Sequence, residues 1–277
     1  MKQTTDLQCA GFTLSFEQPK VMAIINLTPD SFSGDGHAGS TDAVLRHAEQ
    51  ALADGADMLD IGGESSRPGA QPVSEHEELD RVLPALERLL PLGLPISVDT
   101  VKPVVMREAA RAGAAMINDI NALQADGALE AAAQSSAAVC LMHMQGEPRS
   151  MQQAPHYDDV VHEVEQHLLA RARALMDAGC APGRIVLDPG FGFGKTLAHN
   201  VLLFRALPRF AGLGYPLLVG VSRKTMLGHI TGRAVQERQA ASAAAALMAA
   251  QHGAAILRVH DVAPTVDALK VWAALRG

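Results

Sequence analysis

The sequence predicts one α/β domain built as a (β/α)8 barrel, and three observations carry that prediction. Eight short apolar runs recur along the chain, each followed by a loop rich in Gly, Pro or polar residues and then a longer amphipathic stretch. The length of 277 residues is close to the roughly 250 that such a barrel occupies. Seven of the eight runs end in a polar side chain at their C-terminal edge. Residues 1–20 read as an N-terminal extension or hairpin, and 21–277 as the barrel.

In order, the runs are VMAIIN (21–26), MLDIG (58–62), PISVDT (95–100), MINDI (116–120), VCLMHM (139–144), RIVLDP (184–189), PLLVGVS (216–222) and ILRVHD (256–261). Helical patterns separate them at 41–55, 74–90, 103–113, 157–179 and 235–253. Four of these stretches end on Gly55, Gly113, Gly179 and Gly253, the residue that best tolerates a left-handed helix C-cap. Strands alternating with helices imply parallel pairing through right-handed crossovers. An open doubly wound sheet would carry a glycine-rich dinucleotide loop after its first strand. Here that loop reads LTPDSFSGDG (27–36), so the barrel is the better fit.

Composition narrows the function. Net charge is −7 and no block of Lys or Arg appears, which argues against a nucleic-acid partner. Hydrophobic residues are 48% but aromatics only 4%, so the core must be aliphatic. Cys9, Cys140 and Cys180 are far apart and support neither a zinc cage nor a disulfide framework. The opening MKQTTDLQCAGFTLSF lacks the apolar stretch of a signal peptide. The near-apolar run 240–250, interrupted by Ser242, is about half a membrane span and reads as a small-residue helix packed against a neighbour. The expectation is a soluble, cytoplasmic protein.

The polar run ends are Asn26, Asp60, Asp99, Asn118, Asp188, Ser222 and His260. Any one could cap the next helix, but together they mark the rim where barrel enzymes build their active sites. Side chains alternate faces along a strand, so residues two apart point the same way. Arg258 and His260 therefore share a face, as do Asn118 and Ile120, with Asp119 opposite. Gly220, Ser222 and Lys224 share one if that strand runs so far. Cys140, Met142 and Met144 share another, which leaves His143 aimed at the helical shell in a structural role. FGKT (193–196) is not a phosphate-binding P-loop, because Pro189 stands where the first glycine is required.

The segments NLTPDSFSGDG (26–36), DIGGESSRPGA (60–70), SVDT (97–100), INDI (117–120), LMHMQGEP (141–148), LDPGFGFGKT (187–196), GVSRK (220–224) and RVHDV (258–262) resemble, in the same order, those of dihydropteroate synthases. The resemblance implies a TIM barrel that condenses 6-hydroxymethyl-7,8-dihydropterin pyrophosphate with p-aminobenzoate, in folate synthesis. It places Asp99, Asn118, Asp188, Gly220 and Lys224 in a pterin pocket walled by Ile120, Met142 and Phe193. A carboxylate accepting two hydrogen bonds from one heterocycle edge suits that ring. The same resemblance gives Ser66, Arg67, Arg258 and His260 to pyrophosphate, and makes Asn26 the ligand of an Mg²⁺ cofactor. Pro29, Phe32, Ser66, Pro68, Ser222 and Lys224 would bind p-aminobenzoate, a surface where sulfonamides compete.

Catalysis would rest on Arg67, Lys224, Arg258 and His260 together with Asp30, through positioning and stabilisation of the departing pyrophosphate. An aryl amine is largely neutral near pH 7, so no strong base is assigned. Two departures stand out: Ser66 where the family usually has Thr, and Ser33-Gly34-Asp35-Gly36 at the tip of the first loop. The alternatives are a methyltransferase of the same superfamily acting on methyltetrahydrofolate, which should lack the SSRPG and SRK elements, and an inactive pterin-binding paralogue. The family and the alanine-rich helix together suggest a homodimer.

Overall fold

The computed structural model describes residues 6–27, 41–65 and 71–276. Two short strands, β1 (Leu7–Cys9) and β2 (Phe12–Leu14), pair antiparallel as a hairpin. The barrel strands follow as β3 (Lys20–Asn26), β4 (Met58–Gly62), β5 (Ile96–Asp99), β6 (Met116–Asp119), β7 (Ala138–Met142), β8 (Ile185–Asp188), β9 (Leu218–Val219) and β10 (Ile256–Val259). They form one parallel sheet in the order β8-β7-β6-β5-β4-β3-β10-β9. A parallel bridge between Leu187 and Leu217 joins its two ends and closes the barrel.

The first helices around it are α1 (Thr41–Ala53), α2 (Glu75–Leu89), α3 (Pro103–Ala112), α4 (Ala128–Ala133) and α5 (Val160–Asp177). The rest are α6 (Leu197–Arg205), α7 (Leu207–Phe210), α8 (Thr225–Thr231), α9 (Gln239–Gln251) and α10 (Val262–Leu275). Local chemistry explains their ends. Ser74 caps α2 by accepting from Glu77 N at 3.2 Å, a contact that contributes about 1 kcal/mol. Gly55, Gly113, Gly179 and Gly253 take φ of 97°, 109°, 102° and 97°, where a side chain would be strained. Helix α2 turns Val82, Ala85, Leu86 and Leu89 inward, each large aliphatic side chain contributing about 1.5–3 kcal/mol by burial.

Inside the barrel the side chains divide by depth. Met22, Met58, Met116, Cys140, Val186, Leu218 and Ile256 form a buried apolar cluster together with Leu7, Cys9 and Phe16 of the N-terminal segment. The hairpin closes the end of the barrel where the strands begin, with Ala10 N donating to Ser136 O at 2.9 Å just before β7. Two residues further along β4 and β10, the inward side becomes polar, at Asp60 and Arg258. Helix α9 packs on α10 through small residues, burying Ala243, Ala245, Ala246, Ala249 and Ala250. Among the described residues no helix is long and apolar enough to cross a membrane.

Candidate active site

Parallel register carries the polar side chains to one end. Ile24 pairs with Asp60, Asn26 with Gly62, Gly62 with Asp99, Asp99 with Asn118, and Met142 with Asp188. Arg258 on β10 reaches across this ring. Its Nε donates to Asp60 Oδ2 at 2.6 Å and its Nη2 to Asp99 Oδ2 at 3.0 Å. Asn118 Nδ2 stands 3.5 Å from the same Asp60 oxygen. Asp60 is fully buried, and its Oδ1 has no hydrogen-bond partner among the described residues. Burial opposes the charge on Arg258, but Asp60 and Asp99 outweigh it and raise the guanidinium above its ordinary range. Burial pushes Asp99 up to about 7, Arg258 pulling it back and Asp60 adding to the rise.

A second pair faces the first. Asp188 ends β8 and accepts from Gly190 N at 2.7 Å. Burial raises its carboxyl, while Lys224 and the Gly190 N–H restrain the rise. Burial lowers Lys224 to about 8, with Asp188 the main restraint. Its Nζ donates to Phe191 O and lies 4.7 Å from the centroid of the Phe193 ring, an arrangement that favours a cation. Met142 and Ile120 are buried nearby at the ends of β7 and β6. A Cβ on Gly220 would meet Arg258 Cβ at 3.7 Å, so that glycine borders the arginine stem.

The route by which Lys224 arrives differs from the expectation. Strand β9 is only Leu218–Val219, so Ser222 and Lys224 are not aimed by strand alternation. The chain turns instead through Arg223, at φ 58°, with Lys224 N donating to Val221 O at 3.2 Å. Ser222, expected to meet a carboxylate, is buried and accepts from His260 N at 3.1 Å, its hydroxyl also 3.1 Å from His260 Nδ1. Asn26 ends β3 on the inward side with its side chain partly exposed. Pro29, Asp30, Phe32, Ser66, Arg67 and Pro68 lie outside the described residues.

The two residues set aside by face are engaged elsewhere. Asp119 accepts from Asn121 N and Leu123 N at 2.7 and 2.8 Å, supporting a turn in which Ala122 and Leu123 both have left-handed φ. His143 packs edge-on against His167 of α5, with ring centroids 4.9 Å apart. Asp60 is the residue whose part the sequence did not disclose. Strand alternation does place it on the inward side of β4 with Met58, but its pairing with Arg258 spans 198 residues and has no local signal.

A closed barrel whose mouth holds an amide and three carboxylates threaded by an arginine and a lysine defines a binding site for a polar heterocycle. Residues 22–260 match the family of pterin binding enzymes, and the chain belongs to that family. A dihydropteroate synthase of Neisseria meningitidis serogroup C is 53% identical over 273 residues, covering 97% of this chain and 96% of the Neisseria protein. The Yersinia pestis dihydropteroate synthase solved with a sulfonamide drug superposes with a TM-score of 0.93 at 48% identity, over 98% of this chain and 99% of the other. The Burkholderia cenocepacia enzyme complexed with 7,8-dihydropteroate gives 0.90 at 51% identity, over 98% and 96%.

Proposed function

We infer that this chain catalyses the dihydropteroate synthase reaction, joining 6-hydroxymethyl-7,8-dihydropterin pyrophosphate to p-aminobenzoate with release of pyrophosphate. The observation that carries the reading is the polar ring at the mouth: Asp188 beside Lys224, and Asp99 with Asn118 beside Arg258. A pterin edge presents an amino group, a ring N–H and a carbonyl. Asp188 accepts from the first two, Lys224 donates to the heterocycle, and Asn118 serves the adjoining positions. A bidentate match of this kind rejects analogues that leave a buried carboxylate unpaired. Ile120, Met142 and Phe193 exclude water from the ring faces.

In the chemical step the C–O bond to the pterin methylene breaks first, the ring delocalising the positive charge, and the amine nitrogen then bonds to the cationic methylene. The bonding pair leaves with pyrophosphate, and the amine proton passes to solvent. Arg67, Ser66, Arg258 and His260 hold the leaving group and stabilise its charge, and Asp30 stabilises the cationic methylene. The aminobenzoate would lie against Pro29, Phe32 and Pro68, with Ser222 and Lys224 toward its carboxylate, where a sulfonamide would compete.

Among the described residues there is no group of three or more His, Cys, Asp or Glu side chains able to hold a metal. The amide oxygen of Asn26 therefore fits a hard cation only if phosphate oxygens and water supply the other positions, which is the habit of Mg²⁺. When bound, Mg²⁺ would neutralise charge on the pyrophosphate. The same reading has the enzyme as a cytoplasmic homodimer, for which exposed Met248, Val271 and Leu275 on α9 and α10 offer apolar surface. The test is pyrophosphate release by purified protein: it should require both substrates and stop on chelation of Mg²⁺. Release without p-aminobenzoate would point to a hydrolase and overturn the assignment.

A further inference from the structure

The loop after Asp188 is wound so closely that it needs an internal fastening. Gly190, Gly192 and Gly194 take φ of 69°, 79° and 62°, alternating with Phe191 and Phe193. A Cβ on Gly190 would stand 1.9 Å from the carbonyl oxygen of His143, and one on Gly194 2.3 Å from that of Gln145. The loop therefore lies directly on the segment leaving β7. Such winding turns backbone carbonyls inward, where they need donors. Lys195 supplies them: the three N–H bonds of its Nζ are shared among Gly190 O at 2.9 Å, Phe193 O at 2.9 Å, His143 Nδ1 at 3.0 Å and His143 O at 3.2 Å.

This lysine is only 3% exposed, and all four of these partners are neutral. Burial lowers it to about 7, and burial together with Lys195 lowers His143 to about 2, so the ring stays neutral and free to accept. Asp188 partly offsets this charge without touching it; burying an ammonium out of contact with its counter-charge is costly, and stability alone would be served as well by an apolar side chain. What the ammonium adds is geometry on the loop's other face. There Gly190 N holds Asp188, Phe191 O receives Lys224, and the Phe193 ring lies beneath the Lys224 ammonium. Asn200 Oδ1 and the Tyr157 hydroxyl fix Gly192 N and Gly194 O at 2.8 Å each; Gly190 O is shared between Phe193 N, at 3.2 Å, and Lys195, and Phe193 O is left to Lys195.

We propose that Lys195, braced by His143, is a positioning residue for pterin recognition: it gathers the inward carbonyls of 190–193 and so aims Asp188 and Lys224 at the heterocycle. This rests on the assignment of Asp188 and Lys224 to the pterin. In full-length Lys195→Met, the KM for the pterin pyrophosphate should rise at least about tenfold, and calorimetric affinity for the pterin should fall in step. The KM for p-aminobenzoate, at saturating pterin substrate, should rise by a clearly smaller factor, because Lys224 also faces its carboxylate whereas Ser222 is held by His260, outside this loop. An unchanged pterin KM, or an equal rise in both KM values, overturns the proposal. Should Lys195→Met fail to fold, His143→Phe carries the test. It keeps a ring but removes Nδ1, and should raise the pterin KM about threefold or more, with His143→Gln restoring part of the loss. No change in His143→Phe is again fatal. Asp188→Asn separates the two levels: retained pterin affinity there refutes the site itself. Lost affinity there, with a wild-type pterin KM in Lys195→Met, refutes the brace alone.

Discussion

Replacing Arg258 by Met keeps most of the side-chain volume and removes the guanidinium that Asp60 and Asp99 share. Asp60 has no exposed side-chain surface and Asp99 only 13%, so water cannot take over the lost contacts. At an effective dielectric near 20, unit charges about 4 Å apart interact by about 4 kcal/mol. Removing one partner of a buried pair typically costs about 3–5 kcal/mol. The carboxyls can relieve that cost by taking up protons. Asp99 is already lifted by burial to about 7 with the arginine present, and must rise further without it. A carboxyl raised in the folded state binds a proton that the unfolded chain releases, so stability falls as pH climbs between the unfolded and folded values. The variant should therefore lose about 3–5 kcal/mol near pH 8, and the deficit should shrink by on the order of 2 kcal/mol near pH 5.5. Urea unfolding followed by circular dichroism at both pH values measures it. A deficit under about 1 kcal/mol near pH 8, or one that does not change with pH, would refute the argument that this ion cluster is interior and under-solvated.

Gly190→Ala should destabilise the protein by about 3 kcal/mol or more, because φ is 69° and the new methyl would meet His143 O at 1.9 Å; a thermal midpoint equal to wild type would contradict this packing. Burial lowers Lys224 to about 8, so kcat/KM for the pterin substrate should fall as pH rises through that value and the ammonium is lost. Lys224→Arg should remove the fall, since a guanidinium keeps its proton. A flat wild-type profile through that range would mean that the Lys224 charge is not used.

Much of the barrel was legible because its signals are local. The runs at β3 and β4 carry their own boundaries, and the end glycines force left-handed caps. Inward and outward faces were legible wherever a strand truly continued, as at Asn118 against Asp119 and at Arg258. Alternation failed beyond β9, where Arg223 reverses the chain and a turn, not a pleat, delivers Lys224. What could not be read was partnership at long range. Nothing near residue 60 announces that Arg258 will end there, and nothing near Lys195 announces that His143, correctly placed toward the shell, will receive its ammonium. Those contacts depend on how separate loops meet, which no single window of sequence contains.

The link between Asp60 and Arg258 also bears on the order in which the molecule is made. Its two ends are 198 residues apart, and the companion contact to Asp99 spans 159. A chain emerging from the ribosome can pair its early strands and gather Asp60, Asp99 and Asn118 long before the neutralising arginine has been synthesised. Until then the acidic cluster repels itself, and the bridge between Leu187 and Leu217 cannot alone complete the cylinder. Contacts of such high order are slow to form. During refolding, competence to bind substrate should thus be the last property to return, trailing the recovery of helix and of compactness.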